Sequence, residues 1–533
     1  MTVEIKTQVL LPKQALPLPE GLNVSTIKNW LEYGIWGLVL YDNQAPWFAL
    51  IECMQILHSL HQDGKPLFPG PTKDIHGNLV HERDEYVAPI NKNLRHLLFR
   101  DREVMKLKEV QTSDPLRLWG MLRAKTLEDT GGKIDLGYLQ HAFSDFDTFA
   151  NALDLLRSAE VESFGAQRWT SRHLLPLGPN MLFADIDEND RNDRLIFRRT
   201  GEILWLMMGR ASVQLRTRLT EIVRDRLLIP DNPWNRLAGK IAHEPGKKIE
   251  TARMTTGYLP MPWMNVYDSL AEDWCSLLSI SGMPVEMLLD PLMRLSGLHQ
   301  IIYVLRRCEM ELNGTPFPPL VLDISGSARR NPIQKLSADL YDNHRKLPLR
   351  AAEAYLDDYT SSEEWIAVLD RISRKIDAYN LVDSRFLWPR GKSPPLEANI
   401  SEPQEHLGGV FHAYQKSSHT IWSMIANHGR KIGLVAARQK AGTWYYPSDS
   451  FIEALVLANV TTPMEIGQFL RKLHQRYNIV IGAKQARDSF GDDGVSLEPF
   501  NANLARLEER LGILGCIDRK SDACAFVVNP YYS

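Results

Sequence analysis

The sequence has almost no surplus of charge of either sign. Its 62 Lys and Arg residues are nearly balanced by 65 Asp and Glu residues, and the formal net charge is -3 at pH 7 with histidine neutral. A protein that coats nucleic acid needs a large positive surplus, so this balance excludes that class. A local basic surface is still allowed, because nucleic-acid-binding footprints are patches on one face of a protein.

Long hydrophobic runs are also missing. The best candidate, residues 203–208, has six apolar residues and is flanked by Glu202 and Arg210, whereas a helix that crosses a membrane needs about 20. The first 20 residues contain an early acid and lack the apolar segment of a secretory signal. We therefore expect no membrane contact and no secretory signal.

Cysteine is scarce and odd in number. Small secreted domains that rely on disulfides have an even number of cysteines at regular spacings. Here five cysteines are scattered along the chain: Cys53, Cys275, Cys308, Cys516 and Cys524. This pattern indicates reduced thiols, and the sequence predicts a cytoplasmic protein.

Signatures of catalysis are absent as well. The chain has no GxxxxGK[ST], GxGxxG or GxSxG segment, the marks of nucleotide binding and acyl transfer. The acidic stretch that starts at Asp185 fails as a calcium loop, because its sixth and twelfth positions are Asp190 and Ile196, where glycine and glutamate are required. The sequence favours a non-catalytic protein and predicts no cofactor, no metal and no catalytic residue.

What remains is an ordinary globular composition over a length that needs several domains. Of 533 residues, 44% are apolar and 24% charged, as in typical globular proteins, and a chain of this length divides into roughly three or four domains. Proline- and glycine-rich breaks predict five parts. These are an N-terminal helical region with a long loop (1–113), a central helical domain (114–312), a small α/β segment and linker (313–400), and two C-terminal units (405–450 and 451–533).

The segment PFPPLVLDI, residues 316–324, interrupts the helical pattern. It is a short, branched apolar run, so it predicts one buried strand that ends at Asp323. Metal-dependent nucleases also place a carboxylate at a strand end, together with a second acid and a lysine. We favour Asp323 as a cap that turns the chain, because a second strand with an acid and a lysine is not found. An unrecognised nuclease around Asp323 stays an alternative.

Beyond the proline-rich segment 388–401, the order of elements is informative. Residues 406–429 have a helical pattern. They are followed by a strand pattern around Leu434, a polar turn at residues 438–442 and a return strand at residues 444–446. Together these segments predict a helical stretch that leads into a hairpin.

The same outline returns between residues 451 and 533. A short apolar segment precedes Thr462 and Glu465, which form a capping box for a helix. Gly515 ends a later helix, and a hairpin with residues 519–522 at its tip follows. Both helices carry an apolar face at helical spacing: Ile466, Phe469, Leu470, Leu473 and Tyr477 in one, and Leu504, Leu507, Leu511 and Leu514 in the other.

Helices that lead into a hairpin in this order resemble the winged-helix family of helix-turn-helix folds. The resemblance covers residues 405–533 and consists of element order and apolar spacing. It implies two tandem winged-helix units, in which the third helix enters the DNA major groove and the hairpin contacts phosphate. The residues that it implies for nucleic-acid binding are Arg471, Lys472, Arg476, Asn503, Arg506, Arg510, Arg519 and Lys520.

The resemblance also implies that the third helix turns four residues outward: Asn503, Arg506, Glu509 and Arg510. Winged helices serve as protein-docking modules too, especially inside large assemblies. The charge count allows that alternative, because residues 430–533 contain 13 basic and 11 acidic residues. Glu508 and Glu509 on the third helix would repel phosphate.

The sequence as a whole predicts a mainly α, multi-domain protein, with a helical body, a small strand-containing insertion and C-terminal tandem winged-helix domains. The first functional hypothesis is a non-catalytic subunit that binds DNA, or docks DNA to other protein subunits, within a larger assembly. A bacterial genome-defence or DNA-processing complex is the suggested context. The alternatives are a protein-interaction scaffold that docks through its winged helices and the nuclease around Asp323.

Overall fold

The structure is a computed structural model that describes most of the chain. Within the described residues the chain forms 21 α-helices and only short strands. The predicted mainly α fold class is therefore confirmed. The described residues are 14–22, 24, 26–39, 45–112, 114–161, 172–191, 200–229, 231–325, 331–370, 374–386, 403–417, 421–439, 442–492, 494–521 and 524–532.

The helices of the first part of the chain form the body. They are α1 (Ile27–Ile35), α2 (Pro46–Gln62), α3 (Lys92–Phe99), α4 (Asp101–Lys108), α5 (Pro115–Asp129), α6 (Leu139–Ala142), α7 (Phe146–Arg157), α8 (Thr200–Gly209), α9 (Val213–Arg226), α10 (Pro233–Ala242), α11 (Asn265–Leu278) and α12 (Val285–Glu311). The helices α11 and α12 pack along each other, and α11 also contacts α8 and α9.

The remaining helices follow the short strand segment near residue 320. They are α13 (Pro332–Thr360), α14 (Glu363–Leu369), α15 (Arg374–Arg385), α16 (Pro403–Gln415), α17 (Ile421–Lys431), α18 (Asp449–Asn459), α19 (Ile466–Tyr477), α20 (Ala483–Phe490) and α21 (Glu498–Ile513). The 29-residue helix α13 lies against α12, α16 and α17.

The strands are short and form small sheets. They are β1 (Thr72–Lys73), β2 (Leu79–Val80), β3 (Glu85–Pro89), β4 (Thr251–Thr255), β5 (Leu320–Val321), β6 (Val435–Arg438), β7 (Gly442–Tyr445), β8 (Met464–Glu465), β9 (Ile479–Val480), β10 (Ile517–Ser521) and β11 (Cys524–Val527). The pairs β1–β2, β3–β4 and β6–β7 are antiparallel, whereas β5 pairs in parallel with β9. The parallel pair joins the predicted insertion to the C-terminal part of the chain.

Helix starts follow local signals in the sequence. The side chains of Asn91, Asp145, Asn331 and Ser448 each accept a hydrogen bond from the backbone N–H three residues later. Such caps satisfy donors that the first turn of a helix leaves unpaired. Pro332 follows the Asn331 cap at the first helical position, where its fixed φ suits the helix and its missing N–H costs nothing.

The helices α2 and α8 lie against each other in the interior of the body. All ten residues of α8 and 14 residues of α2 are buried, which explains why these segments are apolar nearly all round. Where the two helices cross, Gly201 allows close approach. A Cβ at this position would lie 2.4 Å from the carbonyl oxygen of Ala49.

One cluster of buried apolar side chains extends from Ile27 in α1 to Val527 in β11. Within it, α12 contacts both α17 and α18, and α11 contacts α18. The packed core is thus continuous across the predicted domain boundaries. The division into domains stays a prediction. No helix in the described part of the chain has the length and apolar character needed to cross a membrane.

The secondary structure corrects several sequence predictions in detail. The predicted strand in residues 316–324 is present, but it covers only the two residues of β5, which pairs with the equally short β9. Among the described residues of the predicted helix 406–429 there are two helices, α16 and α17, and residues 416–417 belong to neither. Both predicted hairpins are confirmed, as β6–β7 and β10–β11. Their predicted turns are too wide, because Arg438 pairs with Gly442 and Arg519 pairs with Ala525 inside the strands.

Candidate nucleic-acid interface

The second C-terminal unit is organised around a three-stranded sheet. Its strand order is β10–β11–β8, and β8 comes from the segment between α18 and α19. Glu465 pairs with Phe526 and Met464 with Val527. This pairing fixes the start of α19 against the C-terminal hairpin.

Helix α19 shows the apolar face that the sequence predicts. Phe469, Leu470, Leu473 and Tyr477 are all buried. The predicted capping box at Thr462 and Glu465 is wrong: Glu465 belongs to β8, and its side chain caps no backbone N–H of α19. The local sequence favours a cap, but pairing with a strand about 60 residues later decides the conformation.

The polar side of α19 contains three of the predicted DNA-binding residues in different environments. Arg471 is exposed. Lys472 is half-buried and donates a hydrogen bond to the backbone oxygen of Asn459 at 2.7 Å, and burial lowers the pKa of its amine. Arg476 points into the protein and is only 11% exposed at its side chain. Of these three residues of α19, Arg471 is the one that is exposed to solvent.

Arg476 belongs to a buried polar network between α19 and the body. Its guanidinium lies 2.6 Å from the Asp273 carboxylate and also donates to Asn459 at 2.7 Å. Asp273 accepts further hydrogen bonds from His299 at 2.7 Å and from the Tyr477 hydroxyl at 2.9 Å. Burial alone would raise the pKa of Asp273, but Arg476 and these hydrogen bonds hold it below its ordinary value. Arg476 thus anchors α19 to α11.

The prediction that Asn503 points outward is wrong. Asn503 is 2% exposed and bridges three backbone groups. It accepts a hydrogen bond from the N–H of Ile324 at 2.8 Å and donates to the oxygens of Leu322 and Ile481 at 2.9 and 3.0 Å. These groups lie just past the ends of β5 and β9, so Asn503 satisfies backbone that the short sheet leaves unpaired.

A signal for this burial was present in the sequence. Asn503 precedes Leu507 and Leu511 by four and eight residues, a spacing that places all three on one helix face. Because asparagine is polar, a search for apolar residues at helical spacing does not include this position.

The prediction that Arg510 points outward is also wrong, because its side chain is only 16% exposed and donates to the backbone oxygen of Pro447 at 2.9 Å. Arg510 and the other predicted cations of this unit are paired with acids. Each pair has a nitrogen–oxygen distance of 2.5 Å: Arg506 with Glu509, Arg510 with Asp449, Arg519 with Glu508, and Lys520 with Asp518. From residue 449 to the end the chain has nine Lys and Arg against eleven Asp and Glu. The face that the resemblance assigns to DNA is therefore electrically balanced.

An apolar cleft of about 380 Å³ lies beside α21, on the same side as Arg506. The start of α13 contributes Pro332 and Ile333, and α21 contributes Pro499 and Ala502. The polar residues along its edge include Glu498, Arg506, Asn331, Ser325 and Asn503. This arrangement can receive an apolar side chain and bind polar groups around it.

Asp323 is fully buried below this region. One of its oxygens accepts hydrogen bonds from the N–H and hydroxyl of Ser325 at 3.1 and 2.6 Å, and the other accepts from the Trp444 indole at 3.2 Å. This is the geometry of a carboxylate that turns the chain after a strand. Among the described residues, no three His, Cys, Asp or Glu side chains are grouped to hold a metal ion.

Comparison of the chain with protein-family models, with curated proteins and with solved structures found no match. The buried network around Asp273 was not predicted, because its partners are 26 to 204 residues apart in the chain and carry no shared motif.

Replacing Asp273 by asparagine removes the buried counter-charge of Arg476, so we expect the free energy of unfolding to fall by about 3–5 kcal/mol. Asp342→Asn is the matched control, because Asp342 pairs with Lys346 at 2.5 Å on the surface, where an ion pair contributes at most about 1 kcal/mol. Urea unfolding of the full chain, followed by tryptophan fluorescence, measures both. Equal losses in the two variants would contradict the anchoring role of the network.

Proposed function

We propose that this protein is a non-catalytic, cytoplasmic subunit of a larger assembly and that it docks to a partner protein through α21. The observation that carries the proposal is the apolar cleft between α21 and the start of α13, with Arg506 and Glu498 at its edge. Docking surfaces typically combine an apolar centre with a polar rim. An apolar side chain of the partner would fill the cleft beside Ile333 and Ala502.

The balance of charge favours a protein partner over DNA. A DNA-binding face gains affinity by placing cations against phosphates and releasing counter-ions. Here Arg476 is turned inward, and Arg506, Arg510 and Arg519 each have an acid within 2.5 Å. Acids so close to the cations would meet the same phosphates and reduce the attraction.

The winged-helix interpretation of the C-terminal units fits this role. The second unit has helices followed by a hairpin, and its third strand, β8, comes from between two helices. The first unit has α16 and α17 before the hairpin β6–β7. Winged helices dock proteins as well as DNA, so the interpretation supports either partner.

Two further observations support a non-catalytic protein in a reducing compartment. Four cysteines of the described chain, Cys53, Cys275, Cys308 and Cys516, are buried and unpaired, as is usual in the cytoplasm. Both carboxylate oxygens of Asp323 are occupied by hydrogen bonds, which argues against the alternative of a nuclease built on this residue.

Contact with DNA is the second candidate, and Arg471 favours it. This side chain is exposed on α19 and has no acidic partner among the described residues. The exposed pairs Arg506–Glu509 and Lys520–Asp518 each contribute at most about 1 kcal/mol, so phosphate can compete with their acids. DNA would then bind across α19, α21 and the hairpin.

The cleft predicts the effect of one substitution on assembly. We expect Ala502→Arg to release the chain from its complex, because a charged side chain would occupy the cleft. The apparent mass in gently lysed native cells should then fall toward that of the 60.9 kDa chain. Ala505→Arg is the matched control, since Ala505 is exposed on the same helix but does not line the cleft. The same elution of both variants and the wild type would contradict docking at the cleft.

DNA binding of the full chain separates the two candidates. For protein docking, we expect fluorescence anisotropy with a generic duplex to give a slope of log K against log salt shallower than about -0.9, the value for one phosphate contact. Replacing the four predicted cations of α21 and the hairpin by alanine should leave this slope unchanged: Arg506, Arg510, Arg519 and Lys520. A slope of about -2.7 or steeper, flattened in the quadruple variant, would establish DNA as the partner instead.

A further inference from the structure

A second site lies far from α21 in the sequence, at the C-terminal end of α8. Arg210 directly follows this helix and is 5% exposed. It lines a small cleft of about 70 Å³, whose other walls include residues 69–72, His81, Glu82, Asp84 and Trp205. The guanidinium of Arg210 is therefore a buried positive charge at the wall of a cleft, where water cannot fully solvate it.

The nearest polar partner of Arg210 is neutral. One guanidinium nitrogen donates to Nδ1 of His81, and Nε2 of His81 lies 2.7 Å from the backbone oxygen of Gly257. Because a carbonyl oxygen only accepts, Nε2 carries the proton and Nδ1 has the lone pair that faces Arg210. Burial, with the nearby Arg210 charge, lowers the pKa of His81 to about 4, so the ring is neutral at pH 7.

No acid within the described chain forms an ion pair with Arg210. Its Nη1 atom is buried and has no hydrogen-bond partner. Burial lowers the pKa of its guanidinium to about 10, and the neighbouring Arg216 acts in the same direction. Arg210 is still a cation at pH 7. A buried cation without a counter-ion is unfavourable, and an anionic ligand that reaches Nη1 relieves that cost.

The rest of the cleft defines what kind of anion fits. Thr72 lines the same cleft, and its hydroxyl is buried without a partner, which makes it a second unsatisfied donor. Glu82 and Asp84 also line the cleft. Burial raises the pKa of Asp84, while the nearby Lys65 lowers it and Glu82 raises it further. Two carboxylates repel a phosphate or another multiply charged anion. They attract a cationic group on a ligand whose other end is a carboxylate.

We propose that this cleft binds a small zwitterion of the amino-acid class. The ligand carboxylate accepts hydrogen bonds from Arg210 and Thr72, and its ammonium group lies toward Glu82 and Asp84. The small volume of the cleft, about 70 Å³, favours a small ligand such as glycine. This site is separate from the docking cleft, so the proposal of a bound ligand does not depend on whether the protein docks a partner.

Isothermal titration calorimetry of the full chain with glycine tests the proposal. We expect glycine to bind, acetate to bind at least tenfold more weakly, and methylammonium and inorganic phosphate to give no heat. Trimethylglycine is the matched control because it is zwitterionic but its bulky cation cannot donate hydrogen bonds, and we expect no binding. Absence of glycine binding at millimolar concentration, or tighter binding of phosphate than of glycine, would overturn the proposal.

Variants assign the two ends of the ligand. Glu82→Gln should weaken glycine binding about tenfold and leave acetate binding unchanged. Glu85→Gln, at an exposed position outside the cleft, should change neither. Arg210→Met should abolish binding of both ligands. If Arg210→Met fails to fold, the variants Glu82→Gln and Glu85→Gln still test the proposal. Equal effects of these two substitutions on glycine binding would refute the placement of the ammonium group.

Discussion

The Asp273 carboxylate accepts hydrogen bonds from Arg476, Tyr477 and His299 in the interior of the protein. A buried charge is tolerated only when an opposite charge and further hydrogen bonds compensate it. The helices α11, α12 and α19 must therefore keep their relative positions. Asn503 adds a second constraint, since it connects α21 to the backbone beyond β5 and β9. These contacts hold the inner side of the C-terminal unit against the body.

The outer side of this unit is left for a partner. Its balance of charge follows from the buried contacts on the inner side. Two of the predicted DNA-binding residues, Arg476 and Asn503, stabilise the attachment to the body. The exposed cations on α21 and the hairpin are balanced by acids on the same elements. A balanced, ion-paired face around an apolar cleft is suited to shape-specific docking more than to long-range attraction of a polyanion. The Arg210 cleft differs from this face, because its buried guanidinium bonds to a neutral histidine and leaves Nη1 without a hydrogen-bond partner.

The sequence predicted those features that depend on local periodicity. The mainly α class, the apolar face of α19 and both hairpins belong to this group, because spacing along one element determines them. Features that depend on distant pairing were missed: the strand conformation of Glu465 is set by Phe526, and the inward turn of Arg476 by Asp273. Asn503 is intermediate, since its helical position indicated burial but only the ends of β5 and β9 explain a polar residue there.

Native-state hydrogen exchange of the full chain tests most directly whether the Asp273 network joins the C-terminal unit to the body. If it does, amides in α19 and in α11 exchange through the same opening, with equal opening free energies and an equal dependence on denaturant. An opening free energy for α19 clearly below that of α11 would show that the C-terminal unit detaches by itself, and it would contradict this account.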